Sequence, residues 1–114
     1  MCIRDSFRTM GFRDVKQRVL KCLKTGNIQH EARDEIDIKN LMKIGLVTVD
    51  EVARMIGMTR GNQYKCSPHH LLPKIEVHEF KPEAWNIART RKEKWYIKCY
   101  FIEPDAVFIS VHKS

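Results

Sequence analysis

The sequence has few of the features that identify secreted, membrane or metal-dependent proteins. It contains four cysteines and no CxxC pair: Cys2, Cys22, Cys66 and Cys99. It has no run of 18 apolar residues, so no membrane span is predicted. Its N-terminus has no apolar stretch of the kind found in signal peptides. These absences predict a cytoplasmic protein whose thiols are reduced.

One short stretch has part of the pattern of a zinc site. Cys66, His69 and His70 form a C-x2-H-H sequence. A structural zinc site needs four ligands, and no second Cys/His pair with ligand spacing follows, although His78 or His112 could complete the set in space. A loop that carries polar residues is the simpler interpretation. We therefore expect no metal and no other cofactor.

Length and charge predict one small basic domain. The chain has 114 residues, of which 43% are hydrophobic, enough for a single modest core. It carries 21 Lys+Arg against 14 Asp+Glu, a net charge of +7. A basic domain of this size suggests a polyanionic partner, although a basic solvated surface is the alternative.

The first six residues differ in origin from the rest. Met1–Ser6 reads MCIRDS, which resembles the translation of a sequencing adapter. We interpret residues 1–6 as a non-native segment and exclude them from the fold. Residues 7–114 are then predicted to form a single domain without internal repeats.

The N-terminal half predicts helices. Residues 14–25 carry an apolar stripe with a helical period, with Asp14 as the predicted N-cap and Gly26 as the stop. A second helix is predicted from about Glu31 or Ile38 to Lys43, closed at Gly45. A third follows the capping box Thr48-Val49-Asp50-Glu51 and ends at Gly57.

The C-terminal half predicts strands. Alternating apolar and polar residues, bounded by prolines, give strands over Gln63–Ser67, Lys74–Lys81, Glu93–Ile102 and Ala106–His112. Between the second and third lies a long basic connection, residues 83–93, in which Trp85 could stack on RNA or pin the loop. The expected fold is α+β, with two or three N-terminal helices packed on one face of a small antiparallel sheet.

The period of two assigns side chains to the two sheet faces. The more apolar positions, which include Ile75, Val77, Ile97, Val107 and Ile109, are predicted to face the helices. The complementary set is predicted to share the open face: His78, Tyr96, Lys98, Tyr100, Ser110 and His112. Tyr100 and Phe108 could stack on bases or could be ordinary cross-strand packing.

Histidine, tyrosine and lysine on one face are the side chains of metal-free RNA cleavage. The reaction needs a base for the 2′-hydroxyl, an acid for the leaving 5′-oxygen and cations for the phosphorane. His78 and His112 could fill either proton role. Tyr96 could serve if the flanking lysines lower its pKa. Lys65 and Lys98 would bind the phosphate.

Five segments of the chain resemble the MqsR-type mRNA interferase toxins, whose fold is related to RelE. The segments are Gly57–Thr59, Gln63–Ser67, His78–Pro82, Trp95–Phe101 and Val107–Lys113. The resemblance runs from about Phe12 to Ser114. It implies a helical part on a curved antiparallel sheet and cleavage of single-stranded mRNA without metal.

The resemblance also implies site residues and partners. The family's catalytic lysine follows a tyrosine, as Lys65 follows Tyr64, and its strand tyrosine and lysine match Tyr96 and Lys98. Two positions depart from the family pattern. An expected glutamine falls at about Val77, beside His78, and an expected lysine falls at His112.

The catalytic residues expected from these matches are Lys65, Tyr96, His78, Lys98 and His112. The residues expected to bind RNA are Tyr64, His69, His70, Lys81 and Tyr100. The implied partners are mRNA and a cognate antitoxin protein, without a membrane, and dependence on the ribosome stays open. A non-catalytic RNA- or DNA-binding module and a plain interaction domain are the alternatives. Such a binder would need only basic and aromatic residues.

Overall fold

The chain folds into two helices and a six-stranded sheet within the residues that the computed structural model describes, which are 11–31, 40–69, 74–85 and 90–113. The helices are α1 (Phe12–Thr25) and α2 (Val49–Met58), and a 3₁₀ turn covers Gly61–Gln63. The strands are β1 (Ile28–His30), β2 (Tyr64–Pro68), β3 (Glu76–Phe80), β4 (Glu83–Trp85), β5 (Lys92–Ile102) and β6 (Asp105–Lys113). The predicted α+β class is confirmed.

The sheet is mixed, curved and open rather than wholly antiparallel. Its strands run in the order β1-β6-β5-β3-β2, and β4 pairs with β5. All pairs are antiparallel except β1 with β6, which is parallel. The four predicted strands are present, but β1 and β4 were not predicted. Each has three residues, too few for an alternating pattern to be recognised.

Helix α1 begins earlier than predicted. Gly11, not Asp14, is its N-cap, and no side chain caps it. Asp14 lies instead in the first turn, where a carboxylate interacts favourably with the helix dipole. Gly26 ends the helix as predicted, in the left-handed conformation at φ 82°, where a residue without a Cβ has no steric cost.

Helix α2 has the predicted capping box. The Thr48 hydroxyl accepts a hydrogen bond from the Glu51 amide at 3.1 Å, and the Glu51 carboxylate accepts one from the Thr48 amide at 2.9 Å. The helix continues to Met58, one residue beyond the predicted stop at Gly57. Neither helix in the described part of the chain is long and apolar enough to cross a membrane.

The predicted helix before α2 is wrong where it can be compared. Asn40 forms an isolated parallel bridge to Val111, residues 41–45 form turns, and Gly45 lies at φ 83°. Asn40 fixes the turn, because its side-chain oxygen accepts the Lys43 amide at 3.1 Å and its side-chain nitrogen donates to the Phe108 carbonyl at 3.4 Å. The remainder of that prediction, residues 32–39, lies outside the described residues.

The helices cover one face of the sheet and form the main core with it. Its largest fully buried side chains come from both layers: Val15 and Val19 of α1, Val52 and Ile56 of α2, and Phe80, Ile97, Phe108 and Val111 of the sheet. Burying a side chain of this size stabilises the fold by roughly 1.5–3 kcal/mol. This core determines which face of each strand remains for other uses.

The predicted face assignment is wrong for β3. Phe80 belongs to the main core, so His78 also points to the helix side, while Val77 points to the opposite side. Both parities of this strand carry apolar residues. The larger Phe80 side chain fills the helix-packed core, and that contact determines the orientation of the strand.

A bulge changes the assignment of β6. Lys98 pairs with Ser110 but the adjacent Cys99 pairs with Phe108, so Ile109 is an extra residue on β6. Between the bulge and Asp105, each side chain therefore lies on the face opposite to the predicted one. Phe108 therefore lies in the main core, contrary to prediction. Ile109 and Val107 join Val77 and Tyr100 in a second apolar cluster on the far face.

Candidate nucleic-acid interface

Seven polar side chains lie in two neighbouring rows on the sheet face opposite the helices. The strand register places Lys65, Glu79, Lys98 and Ser110 in one row, and Tyr96 and His112 in the next. Lys81, which directly follows β3, joins the second row, because its ammonium lies 6.0 Å from the centroid of the Tyr96 ring. Neighbouring strands are about 4.8 Å apart and successive same-face residues about 6.6 Å apart. We call these seven residues the polar face.

Glu79 is the acidic centre of the polar face. It is 9% exposed and lies directly between Lys65 on β2 and Lys98 on β5 in the strand register. Its carboxylate accepts a hydrogen bond from the Tyr96 hydroxyl. A carboxylate at the centre of this face is positioned to accept a proton from a bound hydroxyl group.

Tyr96 is held in its protonated form. Burial, and then the negative charge and hydrogen bond of Glu79, raise the pKa of Tyr96 to about 12. The ammonium groups of Lys98 and Lys81 lie 5.8 and 6.0 Å from the ring centroid. The condition under which Tyr96 could act as a base, a pKa lowered by the flanking lysines, is therefore not met. Desolvation is the larger cause, and the charge and hydrogen bond of Glu79 add to it.

His112 has one ring nitrogen committed and one available. Its Nδ1 donates to the Lys113 carbonyl at 2.8 Å, since a carbonyl can only accept. Its ring centroid lies 5.4 Å from that of Tyr96. Fixing the proton on Nδ1 leaves Nε2 to accept or deliver a proton. His112 thus combines acid–base capacity with a place beside Tyr96.

His78 and Tyr64 lie on the other side of the sheet. His78 is 4% exposed, and its Nδ1 is hydrogen-bonded to the Tyr64 hydroxyl at 2.7 Å. Burial, and then the charge of Arg18, lower the pKa of His78 to about 4. Burial also raises the pKa of Tyr64. The expected open-face position of His78 is wrong, and this pair is part of the helix-side packing.

Two of the expected RNA-binding residues are buried. His69 packs edge-on against Tyr100 with ring centroids 5.1 Å apart, and its Nε2 lies 3.4 Å from the Glu31 carboxylate. Both residues are buried, Tyr100 as a member of the second apolar cluster, so neither offers a ring face to a base. His70 lies outside the described residues.

Cys66, the sulfur ligand of the possible zinc site, is not available to bind a metal. Cys66 is disulfide-bonded, whereas Cys22 and Cys99 are free and buried, so the prediction of reduced thiols is wrong for Cys66. Burial raises the pKa of both free thiols. Across the described ranges, no three His, Cys, Asp or Glu side chains are grouped to hold a metal ion.

The structure thus brings together five of the expected site residues: Lys65, Lys81, Tyr96, Lys98 and His112. It adds Glu79, which the sequence interpretation missed because β3 was assigned the wrong face. Assigning Phe80 to the core would have placed Glu79 on the polar face, since adjacent residues of a strand point to opposite faces of the sheet.

Comparison with known proteins adds no identification. Neither protein-family models, curated proteins nor solved structures gave a match to this chain. The chemistry of the polar face is therefore inferred from its own residues. It combines three cations, a carboxylate, an imidazole and a protonated phenol, which is a set suited to a phosphodiester.

Proposed function

We propose that this protein is a metal-independent endoribonuclease that cleaves single-stranded RNA by attack of the 2′-hydroxyl on the adjacent phosphate. The observation that carries the proposal is the polar face. It presents proton carriers and phosphate-binding cations from four strands on one surface. A binding surface needs the cations, but it has no need of a buried carboxylate and an oriented imidazole beside them.

The three lysines of the polar face bind the scissile phosphate and the phosphates next to it. Lys65 and Lys98 lie on either side of Glu79, and Lys81 lies in the adjacent row. Their charges offset the negative charge that develops on the phosphorane. Removing one such fixed donor costs about 2.7–4 kcal/mol of transition-state stabilisation in well-studied sites.

Glu79 and His112 carry the protons. The Glu79 carboxylate takes the proton of the 2′-hydroxyl as the 2′-oxygen attacks phosphorus. Protonated His112 delivers a proton from Nε2 to the 5′-oxygen as the bond from phosphorus to that oxygen breaks. The products are a 2′,3′-cyclic phosphate and a 5′-hydroxyl, and each proton transfer contributes roughly 10²–10⁴-fold to the rate.

Tyr96 remains protonated throughout this sequence. Because its pKa is raised to about 12, it acts as a hydrogen-bond donor rather than as a base. Its hydroxyl orients the Glu79 carboxylate in the free protein. When RNA is bound, it can donate to a phosphate oxygen instead, so its loss affects the step rather than the fold.

The resemblance to MqsR-type toxins supplies the biological setting of the proposal. The protein would be a RelE-like toxin of a type II toxin–antitoxin system, acting on mRNA in the bacterial cytoplasm and inhibited by a cognate antitoxin. The polar face agrees with this setting at Lys65, Tyr96 and Lys98. It departs from the family pattern in using Glu79 and His112 as proton carriers.

The test is cleavage of a single-stranded RNA by purified protein with and without EDTA. We expect Lys65→Ala, Tyr96→Phe and Glu79→Gln each to lower the cleavage rate by about 10²-fold or more, because each loses one charge-stabilising or proton-transfer contact. EDTA should have no effect. Lys24→Ala is the matched control, since it removes the same charge from an exposed position at the end of α1.

Two outcomes would contradict the proposal. Full cleavage by the folded polar-face variants would place the active site elsewhere. Absence of cleavage by the unmodified chain, together with retained RNA binding, would favour the alternative of a non-catalytic RNA- or DNA-binding module. The three cations of the polar face are the observation that supports that alternative.

A further inference from the structure

A tryptophan and a lysine extend the polar face along β5. Ala84 of β4 is buried in the main core, so its strand neighbours Glu83 and Trp85 point to the opposite face. Trp85 lies opposite Lys92 in the strand register, and Glu83 lies opposite Lys94. The parity of β5 puts Lys92 and Lys94 on the same face as Tyr96 and Lys98.

Trp85 is exposed to an unusual degree for its size. It is 48% exposed, although its strand is paired and Ala84 beside it is buried. The Lys92 ammonium lies 5.8 Å from the centroid of the Trp85 ring. The ring therefore extends from a paired strand, has a cation beside it, and retains a large aromatic surface in contact with solvent.

We propose that Trp85 and Lys92 form a subsite that stacks an unpaired base of single-stranded RNA and binds its phosphate. Successive strand residues rise about 3.3 Å, so Lys92 lies about 13 Å along β5 from Tyr96. Aromatic side chains that alternate with cations along a groove are the usual means of holding single-stranded nucleic acid. Lys94 lies between the subsite and the polar face.

The position of the subsite relative to the scissile phosphate rests on the proposed function. The binding of RNA at the subsite does not, because it requires no cleavage. The subsite would hold a nucleotide beyond the scissile phosphate and so keep the RNA on the polar face. A paired base is stacked in its helix and does not present a free face, so the subsite accepts single strands. Only an RNA long enough to extend beyond the polar face can occupy the subsite. This dependence on RNA length distinguishes binding at the subsite from binding at the polar face.

The test is the affinity for a 2′-O-methyl RNA hexanucleotide, which has no 2′-hydroxyl to act as nucleophile. We expect Trp85→Ala to weaken its binding on the order of 10-fold or more, as measured by fluorescence anisotropy. Trp85→Phe should retain most of the affinity, because phenylalanine also stacks. The matched control is Leu46→Ala, which removes an apolar side chain that is 71% exposed and lies directly after the 41–45 turns.

A second measurement reports on the ring itself. The chain has two tryptophans, so Trp95→Phe leaves Trp85 as the sole one. Binding of the hexanucleotide should quench its fluorescence, and a 2′-O-methyl dinucleotide that occupies the polar face should not. Trp85→Ala should likewise leave dinucleotide binding unchanged.

The results distinguish this inference from the proposed function. Unchanged hexanucleotide affinity in Trp85→Ala, or equal losses for both lengths, would overturn the subsite while leaving cleavage at the polar face intact. A 10-fold loss with quenching, in a protein that cleaves no RNA, would retain the subsite and overturn the catalytic proposal.

Discussion

Three titrating residues show how burial determines protonation at the scale of single side chains. Tyr96 and Tyr64 are held protonated, and His78 is held neutral, because burial disfavours the charged form of each. The consequences differ with the face of the sheet. On the polar face, the protonated Tyr96 donates to Glu79, whereas on the helix side the neutral His78 is hydrogen-bonded to the Tyr64 hydroxyl.

The pKa of His78 predicts how the stability of the protein depends on pH. Its folded-state pKa of about 4 lies below the unfolded value of about 6.5, so the unfolded chain binds more protons between these values. The stabilisation is complete above about pH 6.5 and is lost as the pH falls toward 4. This group alone should lower the free energy of unfolding by about 2 kcal/mol between pH 7 and pH 5.

Urea denaturation at pH 7 and pH 5 measures this change. The loss of stability between the two pH values should be smaller by about 2 kcal/mol in His78→Gln than in the unmodified protein. His112→Gln is the control, because it removes a histidine from the polar face, and it should keep the loss of the unmodified protein. An equal pH dependence in His78→Gln and the unmodified protein would refute the buried, neutral state of His78.

At the scale of elements, local signals determine the helices, but the strands depend on their neighbours. α2 begins at a reciprocal capping box that involves two residues three positions apart. α1 ends at a glycine whose positive φ the helix stop requires. The bulge at Ile109 and the orientation of β3 instead depend on the core between the sheet and the helices.

The capping box supplies a prediction about α2. Thr48→Ala should lower the free energy of unfolding by about 1 kcal/mol, because the Glu51 amide loses its side-chain acceptor. Thr48→Ser keeps the hydroxyl and should be nearly neutral. Thermal or urea denaturation measures both variants. Equal destabilisation by alanine and serine would mean that the hydroxyl does not contribute.

The scale of the whole molecule adds the distribution of charge to the two faces. The helices cover one face of the sheet, and the other carries the second apolar cluster at one end and the polar face beyond it. The net charge of +7 attracts a polyanion to the whole surface. The two rows of the polar face bring three cations, Lys65, Lys81 and Lys98, to the surface where the RNA strand is proposed to lie.

The dependence of RNA affinity on salt tests this arrangement. Contacts from Lys65, Lys81 and Lys98 to three phosphates predict a slope of log affinity against log salt of about −2, at roughly −0.7 per phosphate. Lys98→Ala should reduce the slope by about 0.7. Lys24→Ala should leave it nearly unchanged, because Lys24 lies on α1, on the helix side. Equal effects of both variants would indicate diffuse attraction without a defined groove.

The sequence by itself determined what depends on residues near one another in the chain. Gly26 indicated the end of α1, and Thr48 and Glu51 marked the start of α2, because helix ends are fixed by local backbone hydrogen bonds. Asp14 was a less accurate signal, since the N-cap, Gly11, lies three residues before it. The strong alternation of β5 likewise identified that strand and the face of Tyr96 and Lys98, since Trp95, Ile97, Cys99 and Phe101 are apolar and their neighbours include two lysines.

Where both alternating sets of side chains on a strand are apolar, only the tertiary structure decided which set faces the helices. β3 could bury Val77 or Phe80 against the helices, and the larger ring fills that core. That choice moved His78 beneath the sheet and brought Glu79 to the polar face. The bulge likewise moved Phe108 into the core, and the β4–β5 pairing put Trp85 beside Lys92. These placements depend on contacts between distant parts of the chain, which no local pattern encodes.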